Sequence, residues 1–147
     1  MTKLTTTLFI PTINEIDGLK AIMPKIDRSW VDQILIVDGN SNDGTVEYAK
    51  SQGYEIHVQT KKGLRHAYNE GFEKIRGDIV ITFSPDGNCI PDFIPKLIEE
   101  MHKGYDMVVA SRYKDDAKSD DDDLITAFGN KIFNVVTGLL HGFPYTD

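Results

Sequence analysis

Apolar and polar positions along the chain follow two alternating periods. Short apolar runs of the length of buried strands alternate with stretches that show helical spacing. The runs predict strands at 4–10, 33–38, 54–59, 78–83 and 105–111. The helical stretches predict helices at about 15–26, 43–52, 64–76, 91–103 and 124–141. Repeated strand–helix units predict an α/β fold with a doubly wound, mostly parallel sheet, helices on both faces and right-handed crossovers.

Length and composition limit the class of protein. With 147 residues, the chain is long enough for one domain with a real core, and we expect a single domain over 1–147. The net charge of −7 argues against nucleic acid as a partner. The single cysteine, Cys89, excludes an internal disulfide and fits a reducing compartment. With no signal peptide at the amino terminus, we expect a cytoplasmic protein.

The most apolar long stretch lies at 124–143 and is interrupted by Asn130, Lys131 and Asn134. A membrane-spanning helix needs about 20 mostly apolar residues, so we expect a buried or interfacial helix here. Its apolar surface is wider than the stripe that one-sided burial requires. The surplus predicts contact with a second copy of the chain, with another segment, or with a membrane surface, and the last would place the protein at the cytoplasmic face.

Polar side chains collect where the predicted strands end. In a doubly wound sheet these carboxyl ends meet at one edge, and ligands bind where the strand order reverses. The residues at these ends are Pro11, Thr12, Asn14, Glu15, Asp38, Asp43, Asp86, Ser111 and Arg112, and the third helix adds Lys62 and Arg65. Such a set suits a ligand with hydrogen-bonding edges and phosphates. Each residue taken alone also fits turn formation, helix capping or a solvated surface.

Four segments occur together in a recognisable order. IPTINE, ILIVDGNSNDGT, KKGLRHAYNEGFEKIRGD and DIVITFSPDGN resemble the motifs of family 2 glycosyltransferases with the GT-A fold, and most closely the branch of dolichyl-phosphate mannose and glucose synthases. The resemblance implies a nucleotide-diphosphate sugar, UDP- or GDP-hexose, as donor. It also implies transfer of the hexose with inversion to an acceptor such as a polyprenyl phosphate, assisted by Mg²⁺ or Mn²⁺.

The resemblance also implies roles for single residues. Pro11, Thr12 and Glu15 correspond to residues that line the base and ribose, and Asp38 to the aspartate that accepts a hydrogen bond from the base. Arg65 and Lys62 occupy the segment that faces the donor diphosphate.

Asp86 matches the last aspartate of the Asp-x-Asp motif, which binds the metal, and Ser84 replaces the first. Asp86 and Arg112 are the expected catalytic residues. Since Ser84 supplies no carboxylate, we expect a metal to bind well only together with the phosphates of a nucleotide.

Three other classes of protein were compared with these motifs. A non-catalytic or truncated nucleotide-binding relative is the main alternative, because of Ser84 and because the family normally continues beyond Asp147. A nucleotidyltransferase would need a Gly-rich first loop with Arg and Lys, which PTINEIDGLK lacks. A receiver-like signalling domain would need an acidic pair at the end of the first strand, and none is present.

Overall fold

A computed structural model describes residues 4–110, 133 and 135–139. The chain divides into two compact units, Met1–Val108 and Val109–Asp147. The first unit contains the strands β1 (Thr6–Thr12), β2 (Gln33–Asp38), β3 (Glu55–Val58) and β4 (Ile79–Thr82). Its helices are α1 (Ile16–Ile22), α2 (Thr45–Ser51), α3 (Leu64–Phe72) and α4 (Phe93–Met101). The strands are parallel in the order β3-β2-β1-β4, which confirms the predicted α/β sheet.

Two apolar clusters cover the two faces of the sheet. Leu8 and Ile10 of β1 face the larger cluster, which contains side chains of α1, α2 and α4. Phe9 lies between them in the strand and therefore faces the opposite side, where it packs against the smaller cluster around Ala67 of α3. The helices thus lie on both faces, as the alternation of strands and helices predicts.

The strand order reverses between β1 and β4. The chain runs outward from β1 through β2 to β3 and then crosses back to place β4 on the other side of β1. The ladder between β1 and β4 ends with Phe9 opposite Thr82 and with a 2.9 Å bond from the Phe83 N–H to the Phe9 carbonyl.

Two prolines stop this ladder. Continued in the same register, it would need N–H groups from Pro11 and Pro85, and proline has none. Pairing between the two strands therefore ends here. We call the region between their carboxyl ends the crevice, because this is the position at which ligands bind in sheets of this kind.

The predicted strand at 105–111 is wrong over its described part. Residues 105–110 form no strand, and Tyr105, Met107 and Val109 are 59%, 76% and 52% exposed. The alternation of apolar residues is present, but a strand also needs a neighbour for its backbone hydrogen bonds. Within the described residues, no strand pairs with the outer edge of β4.

Several helices are shorter than their predicted ranges. The first ends at Ile22 and continues as a 3₁₀ turn over Met23–Lys25, where Pro24 interrupts the helical hydrogen bonds. Of the predicted helix at 124–141, residues 133 and 135–139 are helical and the others lie outside the described residues. No helix in the described part of the chain is long and apolar enough to cross a membrane.

Candidate functional site

The loops that follow β1 and β2 are hydrogen-bonded into one wall of the crevice. The backbone N–H of Asn14 donates to Ser41 Oγ at 2.7 Å, and the Asn14 side chain accepts from the Asn42 N–H at 3.0 Å. The Glu15 N–H donates to Thr45 Oγ1 at 3.0 Å. Asn14 has a left-handed backbone with φ 53°, which asparagine tolerates better than most residues. These bonds fix where Glu15 leaves the first strand.

Asp38 lies beneath this wall and is completely buried. Its carboxylate accepts from the Ser41 N–H at 2.8 Å, from Ser41 Oγ at 2.5 Å and from Thr12 Oγ1 at 3.1 Å. Thr12 is only 5% exposed. In this arrangement Asp38 offers no surface to a ligand, and Thr12 offers almost none. Their hydrogen bonds hold the loop after β2 against the end of β1. The base contact that the resemblance implies for Asp38 stays a prediction.

Three carboxylates concentrate negative charge at the crevice. The pKa of Glu15 is raised by its burial and further by the nearby charges of Asp86 and Asp43. Asp86 is exposed, and its Oδ1 accepts the Asn88 N–H at 2.9 Å in a tight turn. Glu15 and Asp86 come from the two strands that flank the crevice. Like charges held this close favour a cation between them.

A close backbone contact fixes the position of the loop before Asp86. A Cβ added to Gly18 of α1 would collide with the carbonyl oxygen of Pro85, so the loop before Asp86 lies directly on that helix. Ser84 is half-buried and adds no carboxylate. Within residues 4–110, 133 and 135–139 there is no group of three or more acidic, His or Cys side chains that could hold a metal ion. A divalent cation here would take ligands from a bound molecule as well.

Positive charge lies at the start of α3, on the same carboxyl edge of the sheet. Lys61, Lys62 and Arg65 are exposed, and in the described part of the chain none of them forms an ion pair with a carboxylate. Gly63 precedes the helix with φ 110°, a conformation that favours glycine. The first turn of a helix also presents free N–H groups and a partial positive charge. This edge is therefore suited to phosphate.

The structure places nearly all the predicted site residues at this edge of the sheet. Pro11, Thr12, Glu15, Asp38 and Asp86 lie at or just after the carboxyl ends of β1, β2 and β4, and Lys62 and Arg65 lie after β3. Arg112 lies outside the described residues. Sequence reasoning missed the contributions of Ser41, Gln59 and Glu70, because each acts through a bond to a backbone group that no local pattern reveals.

The architecture is that of a GT-A glycosyltransferase. Its fold is similar to that of glucosyl-3-phosphoglycerate synthase of Mycobacterium tuberculosis, solved with Mn²⁺, UDP and glucosyl-3-phosphoglycerate. The TM-score is 0.60 at 23% identity, over 67% of this chain and 39% of that one. The chain belongs to glycosyl transferase family 2, whose model matches residues 7–143.

Curated relatives support the same family. A dolichol-phosphate mannosyltransferase of Pyrococcus furiosus is 37% identical over 114 residues, which cover 72% of this chain and 32% of the relative. An undecaprenyl-phosphate mannosyltransferase of Micrococcus luteus is 34% identical over 113 residues, with 70% and 46% covered. The chain thus spans between a third and a half of the length of these two relatives.

Proposed function

We propose that the chain is the donor-binding part of a glycosyltransferase that takes a hexose from UDP- or GDP-hexose and transfers it with inversion. The observation that carries this proposal is the crevice at the strand reversal. The carboxylates of Glu15 and Asp86 follow the two strands on its sides, and at the same edge of the sheet the start of α3 carries cations that form no ion pair within the described residues. A nucleotide diphosphate with a divalent cation complements both charges. Membership of glycosyl transferase family 2 supports the reading.

The residues fit a Mg²⁺ or Mn²⁺ ion shared with the donor. Oδ1 of Asp86 is used by Asn88, whereas Oδ2 accepts no hydrogen bond from the described residues. The pKa of Glu15 is raised first by burial and then by the charges of Asp86 and Asp43, and a bound cation would offset those charges. A bound ion there would neutralise charge that develops on the leaving diphosphate. The solved relative with Mn²⁺ and UDP supports this choice.

The other residues bind and orient the donor. Arg65 and Lys62 stabilise the negative charge of the diphosphate as the sugar bond breaks. Asp38 holds the loop that shapes the base and ribose region, next to Pro11 and Thr12. Arg112, which lies outside the described residues, is kept as the second catalytic residue, near the phosphate of the acceptor.

For the acceptor we propose a polyprenyl phosphate, as the names of the two mannosyltransferase relatives suggest. A phosphate is already anionic, so the reaction needs little help from a general base. Contact with a membrane at its cytoplasmic face, or with a second copy, would use the helical residues near 135–139, of which Leu139 is 81% exposed.

Liposome sedimentation and light scattering test this contact. Leu139→Ser should reduce binding to liposomes that contain anionic lipid, or reduce self-association, without changing nucleotide affinity. A wild-type chain that stays monomeric and ignores liposomes would contradict the contact.

Ser84 supports a second candidate, a nucleotide-binding relative without catalytic activity. It stands where the family motif has a carboxylate, and this removes one ligand for the metal. Transfer of labelled hexose from UDP- or GDP-hexose to a polyprenyl phosphate separates the two candidates. Nucleotide binding without transfer would favour the inactive relative.

Thermal unfolding with UDP and GDP, with and without Mn²⁺, tests donor binding directly. A ligand at 100 times its dissociation constant stabilises the folded state by about 2.7 kcal/mol. Asp86→Asn should abolish the part of this stabilisation that depends on Mn²⁺. Asp92→Asn is the matched control, because Asp92 is exposed and its side chain makes no capping hydrogen bond. If neither nucleotide stabilises the protein, the proposed function is wrong.

A further inference from the structure

The segment between β3 and α3 is held by two side chains. The buried Gln59 donates through Nε2 to the carbonyl oxygens of Lys61 and Gly63, both at 3.0 Å. Glu70, from the second turn of α3, accepts the backbone N–H groups of Thr60 at 2.8 Å and Lys61 at 3.1 Å. One side chain therefore satisfies acceptors of the segment and the other satisfies donors, and together they fix its backbone.

The Glu70 carboxylate makes two further contacts. It accepts from Thr60 Oγ1 at 2.8 Å and lies 2.8 Å from Nε2 of His57. These partners, the Thr60 N–H first and His57 next, lower the pKa of Glu70 to about 2. The group is therefore charged throughout the physiological range. Charged acceptors form stronger hydrogen bonds than neutral ones, which suits a carboxylate that organises a loop.

The segment that Gln59 and Glu70 hold carries the positively charged side chains of the site. Lys61 and Lys62 follow Thr60 directly, and Arg65 lies in the first turn of α3. Glu70 bonds to the backbone of Lys61 and forms no ion pair with any of the three. It therefore fixes the segment while leaving the positive groups available to a ligand. Ordering a loop before binding removes part of the entropy cost of binding.

We propose that Glu70 is a positioning residue for phosphate recognition, which acts by holding the backbone that carries Lys61, Lys62 and Arg65. The inference rests on the proposed function, because it places the donor diphosphate at this edge. Glu70 itself does not contact the donor. Its effect should therefore be confined to ligands that carry phosphate and should depend on the cations.

Calorimetry on the 147-residue chain tests this with Glu70→Gln. The ligands are UDP and GDP with Mn²⁺, inorganic pyrophosphate, and the phosphate-free nucleosides uridine and guanosine. Glu73→Gln is the matched control, since it makes the same charge change on an exposed residue at the end of α3, and the Glu73 side chain has no hydrogen-bond partner in the described chain. We expect Glu70→Gln to lower the affinity for UDP, GDP and pyrophosphate about tenfold and to leave the affinity for the nucleosides almost unchanged.

A double-mutant cycle with Lys62→Gln adds a readout that a purely structural role would not change. If Glu70 acts through the positively charged side chains, Lys62→Gln should lower the affinity for pyrophosphate less in the Glu70→Gln background than in the wild type. Additive losses would overturn the inference, and so would equal losses for uridine and UDP.

Failure of this inference can be told apart from failure of the proposed function. If the wild type binds UDP or GDP and Glu70→Gln binds it as well as Glu73→Gln does, only the role of Glu70 is wrong. If the wild type binds no diphosphate ligand, both are wrong. Should Glu70→Gln not fold, Thr60→Val removes one hydrogen bond to the carboxylate and should give a smaller loss in the same ligands. Unchanged affinities in that variant would overturn the inference.

Discussion

Replacement of Asp38 by alanine should mainly lower the free energy of unfolding, and any loss of ligand affinity should follow from that loss of stability. Asp38 is fully buried, and its removal leaves the Ser41 N–H and the hydroxyl groups of Ser41 and Thr12 without their acceptor. A buried group without a partner costs about 1–3 kcal/mol. Ser41 is half-buried and the hydroxyls can rotate, so we expect the free energy of unfolding to fall by about 2–4 kcal/mol.

Urea unfolding of the wild type and of Asp38→Ala measures this loss, provided that the free energy of unfolding falls with urea concentration at the same slope in both proteins. Asp17→Ala is the control, because Asp17 is an exposed carboxylate in α1, and it should change stability by less than about 0.5 kcal/mol. Nucleotide affinity should fall only as far as the loop after β2 becomes disordered. An Asp38→Ala protein as stable as the wild type, but unable to bind UDP or GDP, would refute the reasoning and restore a direct contact with the base.

Two more substitutions test the electrostatics and the packing around the site. Glu15→Gln removes a charge that is partly buried and lies near those of Asp86 and Asp43, so the free protein should melt at a higher temperature at neutral pH. Because the pKa of Glu15 is raised, this advantage should be complete above that pKa and disappear as the pH falls through it toward the ordinary value of 4.5. Gly71→Ala would place a Cβ against the Phe9 ring, and overpacking should cost about 1–3 kcal/mol in urea unfolding. Asn69→Ala, at an exposed position of α3, should not destabilise, and an equally stable Gly71→Ala protein would contradict the packing.

The sequence predicts the parts of the fold that depend on local pattern. The apolar run at 33–38 is a strand over those same residues, because a strand buried on both faces leaves a continuous apolar signal. The run at 105–110 has a similar composition but no partner strand in the described chain. The local sequence pattern shows which side chains a segment can bury, but it does not show whether a neighbouring strand is present to pair with that segment.

In the candidate site, too, some features follow from the sequence pattern and others do not. Asp86 and Glu15 were predicted at the ligand edge, because the carboxyl ends of parallel strands must meet there, and the structure places both at that edge. The burial of Asp38 was not predicted. It depends on Ser41 folding back over the carboxylate, a contact made by the shape of the loop.

The two prolines at the strand reversal have a consequence for how the crevice is maintained. Neighbouring strands attract each other through their backbones, and a ladder that can add another rung will close at a spacing of about 4.8 Å. Pro11 and Pro85 remove the two donors that the next rung would use. The chain itself therefore keeps these strand ends unpaired, and no ligand is needed to separate them. The donor proposed above would spend no binding energy on breaking backbone hydrogen bonds between the two strands.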